Sequence, residues 1–252
     1  MRAYNRIELE KVARETGFIR DNLEKVIRLS NILEFLVSND NLKGKVVLKG
    51  GIAINLTVFD MPRLSVDIDL DYCINSDKDT MMADRAVIGQ EILGYMQSNG
   101  YTLHPSSKNT HALDSMVFSY LNAGGNNDNI KIEINYMMRT HILEPLTRKT
   151  SVPFIEEVDV YALSPLELFG SKIKALIERA APRDMYDVNR MIKQKIFKDD
   201  RMDTLRKIVV FYLAVGGKNK PEKEYSFERI QNIKFPQIRS SLIPVLKKTE
   251  KF

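Results

Sequence analysis

The sequence predicts an α+β fold, a small mixed sheet flanked by helices and followed by a mainly helical C-terminal portion. Three observations carry that expectation. Short runs rich in β-branched residues at 46–49, 67–72 and 130–136 alternate in the manner of strands. Longer stretches at 6–16, 20–38 and 79–98 repeat apolar residues at helical spacing. From Ser164 onward the strand-like pattern gives way to helix-start signals. The implied division is 1–158 for a core with N-terminal helices and 159–252 for a helical domain with a basic tail segment.

Taken in order, the second N-terminal helix sets Leu23, Val26, Ile27, Leu29, Ser30, Leu33 and Leu36 against a polar side of Arg20, Glu24, Lys25 and Arg28. Asp21 suits its N-terminus. Asn39 to Gly44 is a polar turn into the central stretch, and Ile52 to Phe59 is expected to make two helical turns. In the helix over 79–98 the expected core stripe is Met82, Val87, Ile88, Ile92, Leu93 and Met96. Strands follow at Tyr101–His104 and Leu113–Leu121, then a flexible turn at Asn122–Asn129. In Ile130–Tyr136 the residues Ile130, Ile132, Ile134 and Tyr136 face the core, which leaves Lys131, Glu133 and Asn135 on the other side.

Ser164-Pro165-Leu166-Glu167 fits a capping box with proline at the first helical position. The helix it starts has Leu166, Phe169, Ile173, Leu176 and Ile177 as its buried stripe, with Lys172 and Arg179 together outside it. A further helix runs from Pro182 through Ile192 and another from Leu205 to Val215. A turn at Gly216-Gly217-Lys218 and a basic segment with scattered aromatics (Tyr225, Phe227, Phe235) close the chain, too irregular for a base-stacking platform.

Composition narrows the function classes. A single cysteine, Cys73, excludes an intramolecular disulfide, and His104, His111 and His141 lack metal-ligand spacing. No apolar run approaches the roughly 20 residues that span a bilayer, and the opening MRAYNRIELE is too charged for a signal peptide, so a cytoplasmic protein is expected. Residues 201–252 carry 12 Lys and Arg against 5 Asp and Glu, while residues 1–200 have a balance of −2. A basic segment behind an acidic site suits a polyanionic partner, although Lys-rich surface also serves solubility.

The chemistry concentrates between Val46 and Ile74. A β-branched run ends on the Gly50-Gly51 turn, where backbone N–H groups can approach an anion without an intervening β-carbon. After Pro62-Arg63 a strand carries Asp67, Asp69 and Asp71, whose side chains project from one face while Ile68, Leu70 and Tyr72 bury the other. Like charges that close repel unless a cation sits between them. A calcium loop counted from Asp67 would need Gly at its sixth and Glu at its twelfth position, and Tyr72 and Lys78 stand there instead. Metal-holding acids beside a phosphate cradle point to chemistry on a nucleotide. Lys49 either touches phosphate or only caps its strand. Arg63 has the guanidinium that grips phosphate oxygens in two-pronged fashion, and Ser65 is a hydroxyl donor to phosphate or a brace for Asp67.

Lys49-Gly50-Gly51, then Arg63-Leu64-Ser65-Val66-Asp67-Ile68-Asp69-Leu70, resembles the signature of the AbiEii/AbiGii toxin nucleotidyltransferases, members of the DNA-polymerase-β-like superfamily. The segment containing Glu167-Leu168-Phe169-Gly170-Ser171-Lys172, and Arg183-Asp184-Met185-Tyr186-Asp187, resemble two further family motifs. The likeness implies a polymerase-β-like fold in which Asp67 and Asp69 hold two Mg²⁺ ions and Glu133 completes one site. It assigns Gly50, Gly51, Arg63, Ser65 and Lys172 to the triphosphate, with Asp184 as a further catalytic candidate and Asp187 orienting Arg183 or Lys172. Gly51 and Ile52 depart from the wider superfamily, where a serine and a hydroxyl are common, so backbone N–H groups are expected to replace a side-chain contact.

The implied activity is nucleotidyl transfer from an NTP, with release of pyrophosphate, to an RNA (tRNA among the candidates) or a protein side chain. The implied biology is the toxin of a toxin–antitoxin or phage abortive-infection pair, with a cognate antitoxin as possible partner. Two rivals share the fold: an antibiotic-type transferase acting on a small molecule, and a non-catalytic nucleotide- or RNA-binding regulator.

Overall fold

A computed structural model describes residues 5–150, 154, 156–216 and 227–248. The described residues up to Leu163, joined by those from Lys247, form one compact unit, and those of Ser164–Leu246 form a second.

The first unit is built on one mixed sheet. Its strands are β1 (Val46–Lys49), β2 (Asp67–Tyr72), β3 (Thr102–Leu103), β4 (Lys108–Asn109), β5 (Leu113–Leu121), β6 (Asn127–Asn135), β7 (Leu146–Lys149) and β8 (Asp159–Ala162). The order across the sheet is β3-β5-β6-β2-β1-β8-β7, with β4 also paired to β5. β2 runs antiparallel to β1 and parallel to β6, so it lies between the two strands that matter most for the site. Because β8 is hydrogen-bonded beside β1, the first unit extends to Leu163, past the boundary at 158/159 that the sequence suggests.

Alternation gives the sheet two different faces. On one, Val46, Leu48, Ile68, Leu70, Tyr72, Ile130, Ile132 and Ile134 are all buried. Helix α2 (Arg20–Ser38), preceded by α1 (Arg6–Thr16), and helix α4 (Lys78–Ser98) supply the cover; Phe35 of α2 stacks on Tyr95 of α4 at 4.0 Å between ring centroids. The stripe of α4 is Met81, Arg85, Ile88, Ile92 and Met96, whereas Met82 and Val87 are exposed. An arginine reads as polar, so the sequence pattern rotates the predicted face. In the fold Arg85 is drawn inward by Asp114 of β5, at 2.6 Å, and donates also to the His111 and Thr110 carbonyls. Glu24 departs from the expected polar side in the same way: it is buried, takes the Arg28 guanidinium, and accepts the Ala123 backbone N–H. That bond ties down the β5–β6 turn, and β6 begins at Asn127, inside the segment expected to be a turn.

Helix α3 (Gly50–Thr57) starts directly at the end of β1, two residues earlier than its apolar run suggests. The second unit is helical: α5 (Pro165–Arg179), α6 (Pro182–Lys193), α7 (Asp199–Gly216), α8 (Glu228–Gln231), α9 (Phe235–Ser241) and a short 3₁₀ turn at Ile243–Val245. The Ser164 hydroxyl accepts from the Glu167 N–H, as a cap should, and Pro165 occupies the first turn. The Glu167 carboxylate is buried and accepts the Tyr212 hydroxyl of α7 at 2.7 Å. The expected Gly217-Lys218 turn residues and Tyr225 lie outside the described residues.

Candidate active site

Register decides which side chains meet. Asp69 pairs with Lys49 on one side and with Glu133 on the other, and Asp67 pairs with Lys131. Directly opposed residues share a face, so Asp67, Asp69, Asp71, Lys49, Lys131 and Glu133 all project from the face that α2 and α4 leave alone. Four carboxylates there meet two ammonium groups. The excess of negative charge is what a divalent cation would offset.

The arrangement of those charges is specific. Asp71 is buried rather than at a wet strand end, and it takes the ammonium of Lys49. Lys131 reaches the Glu133 carboxylate at 2.9 Å, and Ser115 of β5 donates to the same carboxylate oxygen at 3.0 Å. Burial pulls the Lys131 pKa down, but the hydrogen bond to Glu133 and the charges of Glu133, Asp67 and Asp69 outweigh it and hold the pKa raised. Asp69 is the carboxylate that lies against the glycine corner, and Asp67 shares its strand face. Among the described residues no three His, Cys, Asp or Glu side chains converge as a ready metal site, Asp67, Asp69 and Glu133 included, and Glu133 is engaged by Lys131.

The corner itself is tight. Gly50 has φ +71°, and a β-carbon there would fall 2.3 Å from Asp69 Oδ2. The Asp69 carboxylate therefore sits against the Gly50 backbone, an approach that only a residue without a side chain permits. Lys49 to Gly51 carries the chain from β1 into α3, so the first N–H groups of that helix emerge beside Asp69. A β-carbon on Gly51 would meet Arg63 Nη2 at 2.9 Å and Ser65 Oγ at 3.0 Å. The hydroxyl expected to be missing at position 51 has a neighbour that supplies one, Ser65. Arg63 is only 2% exposed, and its Nη1 donates to the Leu64 carbonyl at 3.0 Å. Its guanidinium lies behind Gly51, where it braces the corner. Asn55, buried in α3, donates to the Gly51 carbonyl at 2.8 Å and leaves its own Oδ1 without a partner. Asn55 and Ser115 were missed from sequence; the only signal for Asn55 was one amide in the apolar run Ile52–Phe59.

In the second unit, Lys172 is buried, contrary to its expected place outside the α5 stripe. Its ammonium lies 3.0 Å from Asp184 Oδ1 and 3.4 Å from Asp187 Oδ2. Arg179 forks onto Asp184, Nε to Oδ2 at 2.6 Å and Nη2 to Oδ1 at 3.0 Å. Burial pushes the Asp184 pKa up, but the Arg179 hydrogen bond and the Lys172 and Arg179 charges outweigh it and hold it lowered. A lysine can be buried here because two carboxylates meet it. Arg183 donates to the Ser241 carbonyl at 2.6 Å, and Asp187, fully enclosed, serves Lys172.

A family model, the nucleotidyl transferase AbiEii toxin of type IV toxin–antitoxin systems, matches residues 32–248. No curated protein matches the chain in sequence. Among solved structures it is similar to MenT4, a nucleotidyltransferase toxin from Mycobacterium tuberculosis H37Rv. The TM-score is 0.65 at 14% identity, over 93% of this chain and 80% of that one. It is also similar to JHP933 from Helicobacter pylori, with a TM-score of 0.51 at 17% identity over 85% and 89% of the two chains. At such identities these likenesses speak for the fold.

Proposed function

The chain belongs to the AbiEii nucleotidyltransferase toxin family, and from that premise we propose that its acid face transfers a nucleotidyl group from an NTP to an RNA, tRNA among the candidates, or to a protein side chain. The observation that carries this reading is the apposition of Asp69 to the side-chain-free corner at Gly50. A triphosphate oxygen and a metal-holding carboxylate need to be neighbours, and a β-carbon at residue 50 would push the carboxylate away from the corner.

In this reading Asp67 and Asp69 hold divalent metal, two Mg²⁺ ions with Glu133 completing one site. The residues fit in donor chemistry, in their common face and in the close approach of the Asp69 carboxylate to the Gly50 backbone. A divalent metal held there would supply Lewis acidity toward an acceptor hydroxyl and positive charge toward the pyrophosphate. The chain's own groups do the rest. N–H groups at the start of α3 and the Ser65 hydroxyl receive phosphate oxygens, an arrangement suited to anions. Arg63 holds Gly51 and Ser65 in register from behind. Lys49 balances Asp71 and stands next in line to the phosphates across Asp69. For Lys172 a phosphate contact is supported by the family likeness of its segment, and Asp184, on its surroundings, fixes that ammonium rather than touching substrate. An antitoxin is the counterpart expected of a family of type IV toxins.

The test is label transfer from each α-³²P nucleotide in the presence of Mg²⁺ and total cellular RNA, with the products resolved. Wild type should label RNA or protein, and Asp69→Asn should abolish labelling by more than about a hundredfold while keeping its circular dichroism spectrum. An Asp69→Asn variant as active as wild type would end the assignment.

A further inference from the structure

We propose that Lys131 is the internal cation of the acid face, and that a divalent ion binds there by displacing the Lys131 ammonium from Glu133. The inference rests on the metal-binding reading of Asp67 and Asp69 given above.

The geometry puts one ammonium on the strand face that carries Asp67, Asp69 and Glu133, in contact with Glu133. Lys131 pairs with Asp67 across β2 and β6, sits two residues from Glu133 on the same strand face, and reaches Glu133 at 2.9 Å. Asp69 is the cross-strand partner of Glu133, so the carboxylate that Lys131 engages is the one that register sets beside the pair from β2. Glu133 cannot give its carboxylate both to that ammonium and, in full, to a metal ion. Ser115 donates to the same oxygen from the far side and stays compatible with either partner, so it holds the carboxylate in place during an exchange. The Lys131 side chain is 39% exposed, which leaves it room to swing outward. The exchange is cation for cation: one ammonium leaves, a divalent ion enters, and no proton or bond need change. A device of this kind keeps like charges from opening the β2–β6 seam, and it weakens metal affinity until a second source of binding, such as a triphosphate, arrives.

The experiment measures Mn²⁺ binding to nucleotide-free protein by electron paramagnetic resonance, together with thermal melting in chelator and in Mn²⁺. Lys131→Gln should bind Mn²⁺ on the order of tenfold more tightly than wild type, since a competing positive charge within a few ångströms is gone. It should melt lower than wild type in chelator and gain more on adding Mn²⁺. Lys131→Arg keeps the charge and should restore the weaker, wild-type affinity, which a merely structural role for the lysine would not require. Lys131→Met serves as a second neutral variant. Mn²⁺ binding that is lost in Asp69→Asn but unchanged or weaker in both neutral variants would overturn this inference alone. Equal Mn²⁺ binding by wild type and Asp69→Asn would sink the metal reading, and this inference with it.

Discussion

At Gly50 a left-handed backbone and a carboxylate 2.3 Å from the missing β-carbon act together. Gly50→Ala therefore meets two penalties: an unfavourable φ for an L-residue, costing about 1–3 kcal/mol, and a collision that pushes Asp69 off its place. The expected outcome is a modest fall in melting temperature and a loss of label transfer far larger than the stability change explains. Retained transfer with a normal melting curve would mean the corner does not receive phosphate. Cys73 offers an independent check on the same region. Burial, seconded by the charge of Asp71, pushes its thiol up to about 11. Because the thiolate is the reactive form, alkylation by iodoacetamide at pH 8 should run roughly a hundredfold slower than for a free cysteine, rising as pH climbs toward 11. Much of the candidate site's local geometry was legible at this scale. A diglycine turn and alternating aspartates announce themselves because backbone freedom and strand parity are local properties. The destinations of Lys49 and Lys131 were not legible, since they depend on which strands become neighbours, and register is a property of pairing.

Elements carry what single residues cannot. Helix α5 approaches α7 so closely at Gly170 that a β-carbon would lie 2.3 Å from Ile208 Cγ2. Gly170→Ala should destabilise the second unit by about 1–3 kcal/mol through overpacking. Adding Ile208→Ala should cost less than the sum of the two single changes, a coupling that urea titration of the double-mutant cycle would reveal. Additive losses would show that the helices are not held at that contact. The ion cluster joining α5 to α6 makes a second prediction. Asp184→Asn leaves Lys172 and Arg179 short of one carboxylate, and breaking a buried pair costs about 3 kcal/mol. Since the folded pKa of Asp184 is lowered, its contribution is present above the ordinary carboxylate pKa and is lost as pH falls through the folded value. Wild type should thus lose stability on acidification below about pH 4 more steeply than the asparagine variant. Element existence was readable from periodicity for every long helix, but the faces of α4 and α5 were misjudged at Arg85 and Lys172. Both are cations buried because an acid elsewhere in the chain meets them, and a one-dimensional pattern scores them as polar. The short strands β7 and β8 were not foreseen at all: unlike the VVLK of β1, LTRK and DVYA each hold a single β-branched residue and at least one charged one beside it.

Across the whole molecule, charge is the property that separates the proposed acceptor from its rivals. Residues 201–252 have a balance of +7 against −2 for the rest, so an attractive region for a polyanion lies in the same chain as an acid face that would repel one. An RNA acceptor held by basic side chains releases counterions on binding, and its affinity falls steeply with salt. Four phosphate contacts to a single strand correspond to about a fiftyfold loss between 50 and 200 mM salt. A small acceptor, binding in a pocket with one or two charges, would lose only a few-fold over that range. The measurement is the acceptor concentration for half-maximal label transfer at several KCl concentrations, with NTP and Mg²⁺ saturating so that screening at the triphosphate does not enter. A steep dependence, reduced when lysines beyond residue 201 are neutralised, is expected for RNA. A flat dependence that survives their neutralisation would remove RNA as the acceptor and leave a protein side chain or a small molecule, which the resolved labelled products tell apart.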